Sequence, residues 1–302
     1  MAVIDALTQS TRPGVGAGRA APSERWGRLA LLAPSIILLI GVFVVPLAIM
    51  LVRTFTDPHP GLENLTWYLG DATQRRVLVR TFTTAAKVTA VCLLLGYPYA
   101  YAMVAAGPKL RAVLTLLVLV PFWTSLMVRT FAWVILLQDN GPIQRALAGI
   151  GLDNLHLIRS NVGVIIGMSQ ILLPFLVMPL YAVMSTIDRR LVLASSSLGA
   201  RPITSFFRVW LPLSLPGIGA GSLMVFISSL GFYVTPALLG SPSDALVSQQ
   251  IYTQVSGLLQ WGRAGAMGLV LLVATFAILA VLMLSIRRAA RRQTRQAEDA
   301  TS

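Results

Sequence analysis

Charge is scarce in this sequence: Asp, Glu, Lys and Arg together make up 12% of its 302 residues, against 56% that are hydrophobic, whereas a soluble domain carries about a quarter charged residues. That balance excludes an ordinary water-soluble fold. Cysteine is almost missing, Cys92 being the only one, so no intrachain disulfide framework exists. A mean hydropathy of +0.75 excludes a disordered chain. Histidine is limited to His59 and His156, and lysine to Lys87 and Lys109. No G-x-x-x-x-G-K-[ST] loop occurs, so this chain has no usual means of binding ATP. Neither G-x-S-x-G nor H-E-x-x-H is present, and two distant histidines with one cysteine make a poor metal set. Both histidines fall between the apolar segments, so a nucleophile inside a membrane would lack a base. No catalytic residue, metal ligand or resident cofactor is assigned.

What the sequence does contain is long apolar runs. A helix needs about 20 residues, at about 1.5 Å each, to cross about 30 Å of hydrocarbon. Six segments meet that length: Leu29 to Val52, Phe82 to Ala106, Ala112 to Leu137, Val162 to Met184, Ile218 to Leu239 and Ala266 to Ile286. They predict an all-α polytopic membrane protein whose six transmembrane helices fill residues 29–286. Residues 1–28 form a polar N-terminal tail and residues 287–302 a basic C-terminal one. The first run is too long for a signal-peptide core and is read as a retained span. Pro46, Pro98, Pro121, Pro174 and Pro179 interrupt these segments, and membrane helices tolerate this where neighbours satisfy the freed carbonyls.

The net charge of +13 would suggest nucleic acid in a soluble protein, but here the basic residues collect at span ends and in the tails. Fifteen Lys and Arg fall in the two tails and the second and fourth loops, and seven in the first, third and fifth loops. Both termini are therefore expected in the cytoplasm. The six spans contain no Asp, Glu or His, which disfavours an ion-coupled secondary transporter, while a passive channel would lack such groups too.

The fourth loop, residues 185–217, keeps a helical pattern. Asp188 suits an N-cap; Leu191, Ala194, Ser195 and Leu198 fall at i, i+3, i+4 and i+7; Gly199, followed by Ala200, supplies a stop. Pro202 suits the first turn of a second short helix, with Pro212 and Pro216 as its breakers. The pattern alone fits either a partner-contacting helix or one lying on lipid headgroups.

Within the spans Arg129 stands out, because a guanidinium at that depth costs at least about 2.5–3.5 kcal/mol on insertion scales unless it faces water or a partner. It fits a pathway-lining group or one held by backbone carbonyls. Trp123, Trp133, Phe232 and Tyr233 suit a translocation cavity, where an aromatic face attracts an ammonium by about 0.5–2 kcal/mol, and equally suit packing. G-x-x-x-G spacing at Gly163 to Gly167 and Gly217 to Gly221 permits close helix approach.

Leu193-Ala194-Ser195, then Leu198-Gly199-Ala200 and Val209-Trp210-Leu211-Pro212-Leu213, resemble the EAA loop of ABC-importer permeases. In that signature Leu193 stands where the Glu belongs and Ser195 replaces the second Ala. Three more stretches resemble the spermidine/putrescine branch: Pro121-Phe122-Trp123-Thr124-Ser125 with Arg129-Thr130 and Ala132-Trp133, Phe232 to Gly240, and Trp261 to Ala266. The resemblance implies one permease subunit of a type I importer in a bacterial cytoplasmic membrane. Its implied partners are a second permease subunit, expected to be a distinct chain that keeps its own Glu, two ATPase subunits that bind ATP and Mg, and an extracytoplasmic solute-binding protein. Asp188 to Ala200 would be the ATPase-coupling segment, with Gly199 its hinge. The implied solute is a polyamine or related organic cation, although Gly231 stands where polyamine permeases often carry an acid; opines, phosphonates, thiamine and ferric iron are alternatives among related permeases.

Overall fold

In the computed structural model residues 22–149, 151 and 156–299 are described; the expectations for residues 1–21 of the N-terminal tail and 300–302 of the C-terminal one lie outside them. Thirteen α-helices and no strand occur among the described residues. In chain order they are α1 Pro22–Thr56, α2 Glu63–Gly70, α3 Ala72–Ala105, α4 Pro108–Leu119, α5 Leu126–Leu137, α6 Pro142–Ala148, α7 Asn161–Ser185, α8 Arg189–Ser197, α9 Pro202–Ser205, α10 Leu211–Leu230, α11 Val234–Leu239, α12 Val247–Tyr252 and α13 Trp261–Asp299. The chain divides into two units at Met50. The N-terminal unit holds most of α1, a continuous helix despite Pro34 and Pro46.

The core of the second unit is a trio of helices, α3, α7 and α10. Val88, Cys92 and Met103 of α3 interlock with Met168, Leu176 and Leu180 of α7 and Val225 of α10, all fully buried. Lipid offers little hydrophobic drive between helices, so their association depends on close van der Waals contact. Glycine permits it: a Cβ on Gly221 would stand 2.8 Å from the Leu176 carbonyl oxygen, and one on Gly217 3.2 Å from Leu180 Cα. Hydroxyls inside the helices are satisfied locally, Thr81 donating to the Val77 carbonyl at 2.8 Å, Thr89 to Ala85 at 2.7 Å and Ser229 to Val225 at 2.7 Å. A satellite cluster of Tyr68, Val77, Val247 and Met267 ties α2, α3, α12 and α13.

Five helical stretches are long and apolar enough to cross a membrane: Ala33–Thr56, Ala72–Ala105, Asn161–Ser185, Pro202–Leu230 and Trp261–Val281. A sixth is present if the bent pair formed by α4 with its extension to Trp123 and by α5–α6 counts as one span. The third apolar segment is thus not the single helix expected from Ala112 to Leu137, because its halves are bent by 100°. Pro121, which removes a donor, sits within a 3-10 turn over Val120–Trp123, and Thr124 and Ser125 turn extended. The fifth span is also displaced from its expected limits: α10 stops at Leu230, and Gly231 to Tyr233 lead into the separate helix α11. Nor do Pro212 and Pro216 end the second short helix, which passes through a π-helical turn at Phe206–Trp210 into α10. That turn shifts the ladder, the Leu211 amide donating to the Phe206 carbonyl just ahead of the proline ring.

Candidate functional site

The α7–α10 connection is built by local chemistry. Asp188 Oδ1 accepts from the Arg190 amide at 2.9 Å and starts α8. Gly199 ends it at φ +82°, a left-handed conformation that glycine adopts without penalty. The Gly199 amide donates to Ser196 at 3.0 Å and the Ala200 amide to Ser195 at 3.1 Å, satisfying carbonyls at the helix end. Leu191, Ala194 and Leu198 share an outward face and are exposed, Leu198 at 89%. Ile203 and Phe207 are exposed just beyond the turn. Val192 and Ile187 instead pack on the core.

Ser195 departs from the face that its spacing suggested. It is half-buried, and its hydroxyl oxygen lies 2.7 Å from both Ser205 Oγ and the Val192 carbonyl oxygen, its single proton serving one of them at a time. Ser205, 1% exposed, was not among the sequence candidates. Next to it an aromatic cluster begins: the Phe206 ring meets Tyr97 edge-on at 5.9 Å and Tyr101 at 6.1 Å, and Tyr101 meets Trp210 at 5.4 Å. The Tyr97 hydroxyl lies 3.2 Å from Ser214 Oγ, tying α3 to α10.

At the α4–α5 break, the Arg129 guanidinium donates through Nη2 to the carbonyls of Pro121 and Thr124, the latter at 3.0 Å. The Pro121 carbonyl also accepts from the Thr124 amide at 3.3 Å and the Thr124 hydroxyl at 2.9 Å, so the guanidinium adds a charged donor to a bend that local bonds already shape. Beside it, the buried Thr130 and Thr235 hydroxyls lie 3.3 Å apart and join α5 to α11. This pair was not singled out, although both residues belong to the stretches that carry the resemblance. Trp133 is half-buried and donates from Nε1 to Gln170 Oε1 at 3.3 Å. Phe232 packs on the core, and its carbonyl accepts from Ser248 Oγ at 2.6 Å. Tyr233 stacks on Tyr252 with centroids 4.7 Å apart. Trp123 stands apart, 74% exposed, on a cavity of about 430 Å³ along α4 with Arg111 and Thr115. The aromatic residues therefore do not gather around one chamber within the single chain.

A third feature lies where α2 meets the start of α13. Asp57, Glu63, Trp67, Gly262 and Arg263 line a cavity of about 310 Å³. The Arg263 guanidinium sits 4.5 Å above the Trp67 ring, and Asn64 donates to the Thr54 and Asp57 carbonyls at 2.9 and 2.8 Å. Burial pushes the phenol of Tyr68, next to Trp67 in the chain, up to about 12. Among the described residues no group of three or more His, Cys, Asp or Glu is placed to hold a metal ion.

Residues 93–295 match the model of the binding-protein-dependent transport system inner membrane component family. The spermidine/putrescine transport system permease protein PotB of Haemophilus influenzae is 35% identical over 217 residues, covering 70% of this chain and 76% of that protein. PotB of Escherichia coli K12 is 32% identical over 239 residues, covering 78% and 85%. Among solved structures, a bacterial alginate ABC transporter in complex with an alginate pentasaccharide-bound periplasmic protein superposes with a TM-score of 0.67 at 20% identity, over 86% of this chain and 93% of the other. That last likeness concerns the fold.

Proposed function

The chain belongs to the binding-protein-dependent transport system inner membrane component family, and from that premise we propose how it works as a permease subunit of an ATP-driven importer in a bacterial inner membrane. It forms half of a translocation pathway, the other half coming from a second, distinct permease chain. Its solute is a polyamine or a related organic cation, delivered by an extracytoplasmic binding protein. The chain itself performs no catalysis: ATP and Mg are held by two separate ATPase subunits. Both tails and α8 face the cytoplasm.

One observation carries the coupling reading. Asp188 and Gly199 delimit a nine-residue helix, α8, whose Leu191, Ala194 and Leu198 face is bare while its opposite side is fastened to the core. An apolar helical face of this kind suits a groove on a partner, as amphipathic helices do generally. ATP binding would move α8, and the rod from Pro202 to Leu230 would carry that motion toward α11 and the Thr130–Thr235 contact. Such an element needs two arrangements biased from both ends. The solute reading is supported by the PotB relatives and by aromatic faces that attract ammonium groups. Its test is ATP-dependent uptake of radiolabelled spermidine by proteoliposomes containing the full transporter. Saturable uptake that unlabelled putrescine competes away is expected; uptake unaffected by polyamines would refute the solute assignment.

A further inference from the structure

We propose that Ser195 and Ser205 are positioning residues that form a hydroxyl latch, fastening α8 to the foot of the Pro202–Leu230 rod so that the two move as one body. The inference rests on reading α8 as the ATPase contact. The two helices meet at a turn centred on Gly199, where φ is +82° and nothing lies within 4 Å of the position a Cβ would take. Val192 packs α8 on the core on one side of that turn and Phe206 packs on it on the other, so a bond across the turn couples two segments that are otherwise joined by a glycine. The Ser195 hydroxyl crosses that turn to Ser205 Oγ at 2.7 Å. Ser205 is 1% exposed, so its side of the bond is shielded from water, while Ser195 is half-buried. Phe206 follows directly and meets Tyr97 and Tyr101 edge-on. A displacement of Ser205 thus reaches α10 through the chain and α3 through contact. Ser195 occupies a position that is Ala in the signature this loop resembles, so the latch is a feature of this chain.

The test uses the complete transporter purified with its partners, carrying spin labels at Ser197→Cys on α8 and Ile227→Cys on α10, both exposed positions. Pulsed electron spin resonance measures the distance between the labels with and without ATP and vanadate. With the serines in place, one narrow distance is expected in both states. In Ser195→Ala and in Ser195→Ala/Ser205→Ala it should broaden once nucleotide is trapped, the detached population rising about fivefold, the scale of one net hydrogen bond. Ser195→Thr, which keeps the hydroxyl, should restore the narrow distance; loss of stability alone would not move this readout. Unchanged distributions in the alanine variants would overturn the latch. Co-purification of the ATPase with Leu198→Asp separates the premise: if the ATPase is lost there and the alanine variants stay narrow, the latch alone is wrong. If the ATPase is retained by Leu198→Asp, the contact reading fails and the latch falls with it.

Discussion

Replacing Gly199 by valine probes backbone strain more than packing, because a Cβ at this position meets nothing within 4 Å. The native φ of +82° lies where a Cβ crowds the following carbonyl, at a cost of about 1–2 kcal/mol for an ordinary L residue and more for a β-branched one. Membrane insertion should be untouched, since Gly199 lies outside every span. What changes is the turn that sets the angle between α8 and α9. With each 1.4 kcal/mol worth a factor of ten, the competent turn should become about 5- to 30-fold less populated. Initial rates of ATP-dependent uptake in proteoliposomes, normalised to the amount of assembled complex, should fall by that order. Gly199→Asn, which tolerates the left-handed region at little cost, should stay within about twofold of the parent. Uptake by Gly199→Val at the parent rate, or a Gly199→Asn variant as impaired as the valine one, would refute the reasoning.

Arg129→Ala should remove the guanidinium's bonds to the Pro121 and Thr124 carbonyls and cost about 0.5–1.5 kcal/mol, seen as a lower melting temperature in detergent and partly restored by Arg129→Lys. Gly221→Leu should block folding, since even a Cβ would sit 2.8 Å from the Leu176 carbonyl oxygen; Gly219→Ala, with open space around it, should fold normally and serves as the control. The Tyr68 hydroxyl is buried without a hydrogen-bond partner, so Tyr68→Phe should be neutral or stabilising by up to about 1 kcal/mol in a melting assay. Because burial raises the Tyr68 phenol to about 12 from its ordinary value near 10, the folded state favours the neutral form. Its stability contribution is fully present below pH 10 and is lost as pH rises toward 12; Tyr68→Phe should lack that part of the alkaline decline.

Long uninterrupted spans were legible because apolar runs of the right length leave the backbone no choice but helix. The α8 boundaries were legible as well: Asp188 and Gly199 act through local hydrogen bonding and φ, both written in the residue type. The α4–α5 break was not. Pro121 resembles Pro174 and Pro179 in sequence, yet the latter two lie in α7, which α3 and α10 both pack against, whereas Pro121 lies within a 3-10 turn, its carbonyl and that of Thr124 bonded from a distance by Arg129. Pro212 misled in the opposite direction, since a π-helical turn ahead of it lets the helix continue. Spacing grouped Ser195 with Leu191, Ala194 and Leu198, whereas its hydroxyl turns to the Val192 carbonyl and to Ser205 Oγ across the turn. Gly217 and Gly221, a spacing that occurs often by chance, gained meaning from the helix they face. The site is therefore legible where its chemistry is local, and hidden where it depends on two segments far apart in sequence, as with Thr130 and Thr235.

The most direct test of the central claim, that this chain works only as a subunit driven by an ATPase, is to tag its C-terminus, solubilise the native membrane in mild detergent and identify the co-purifying proteins by mass spectrometry. Recovery of an ATPase together with a second six-span permease is expected. Recovery of this chain alone as a monodisperse species that transports under an ion gradient in liposomes would contradict the account.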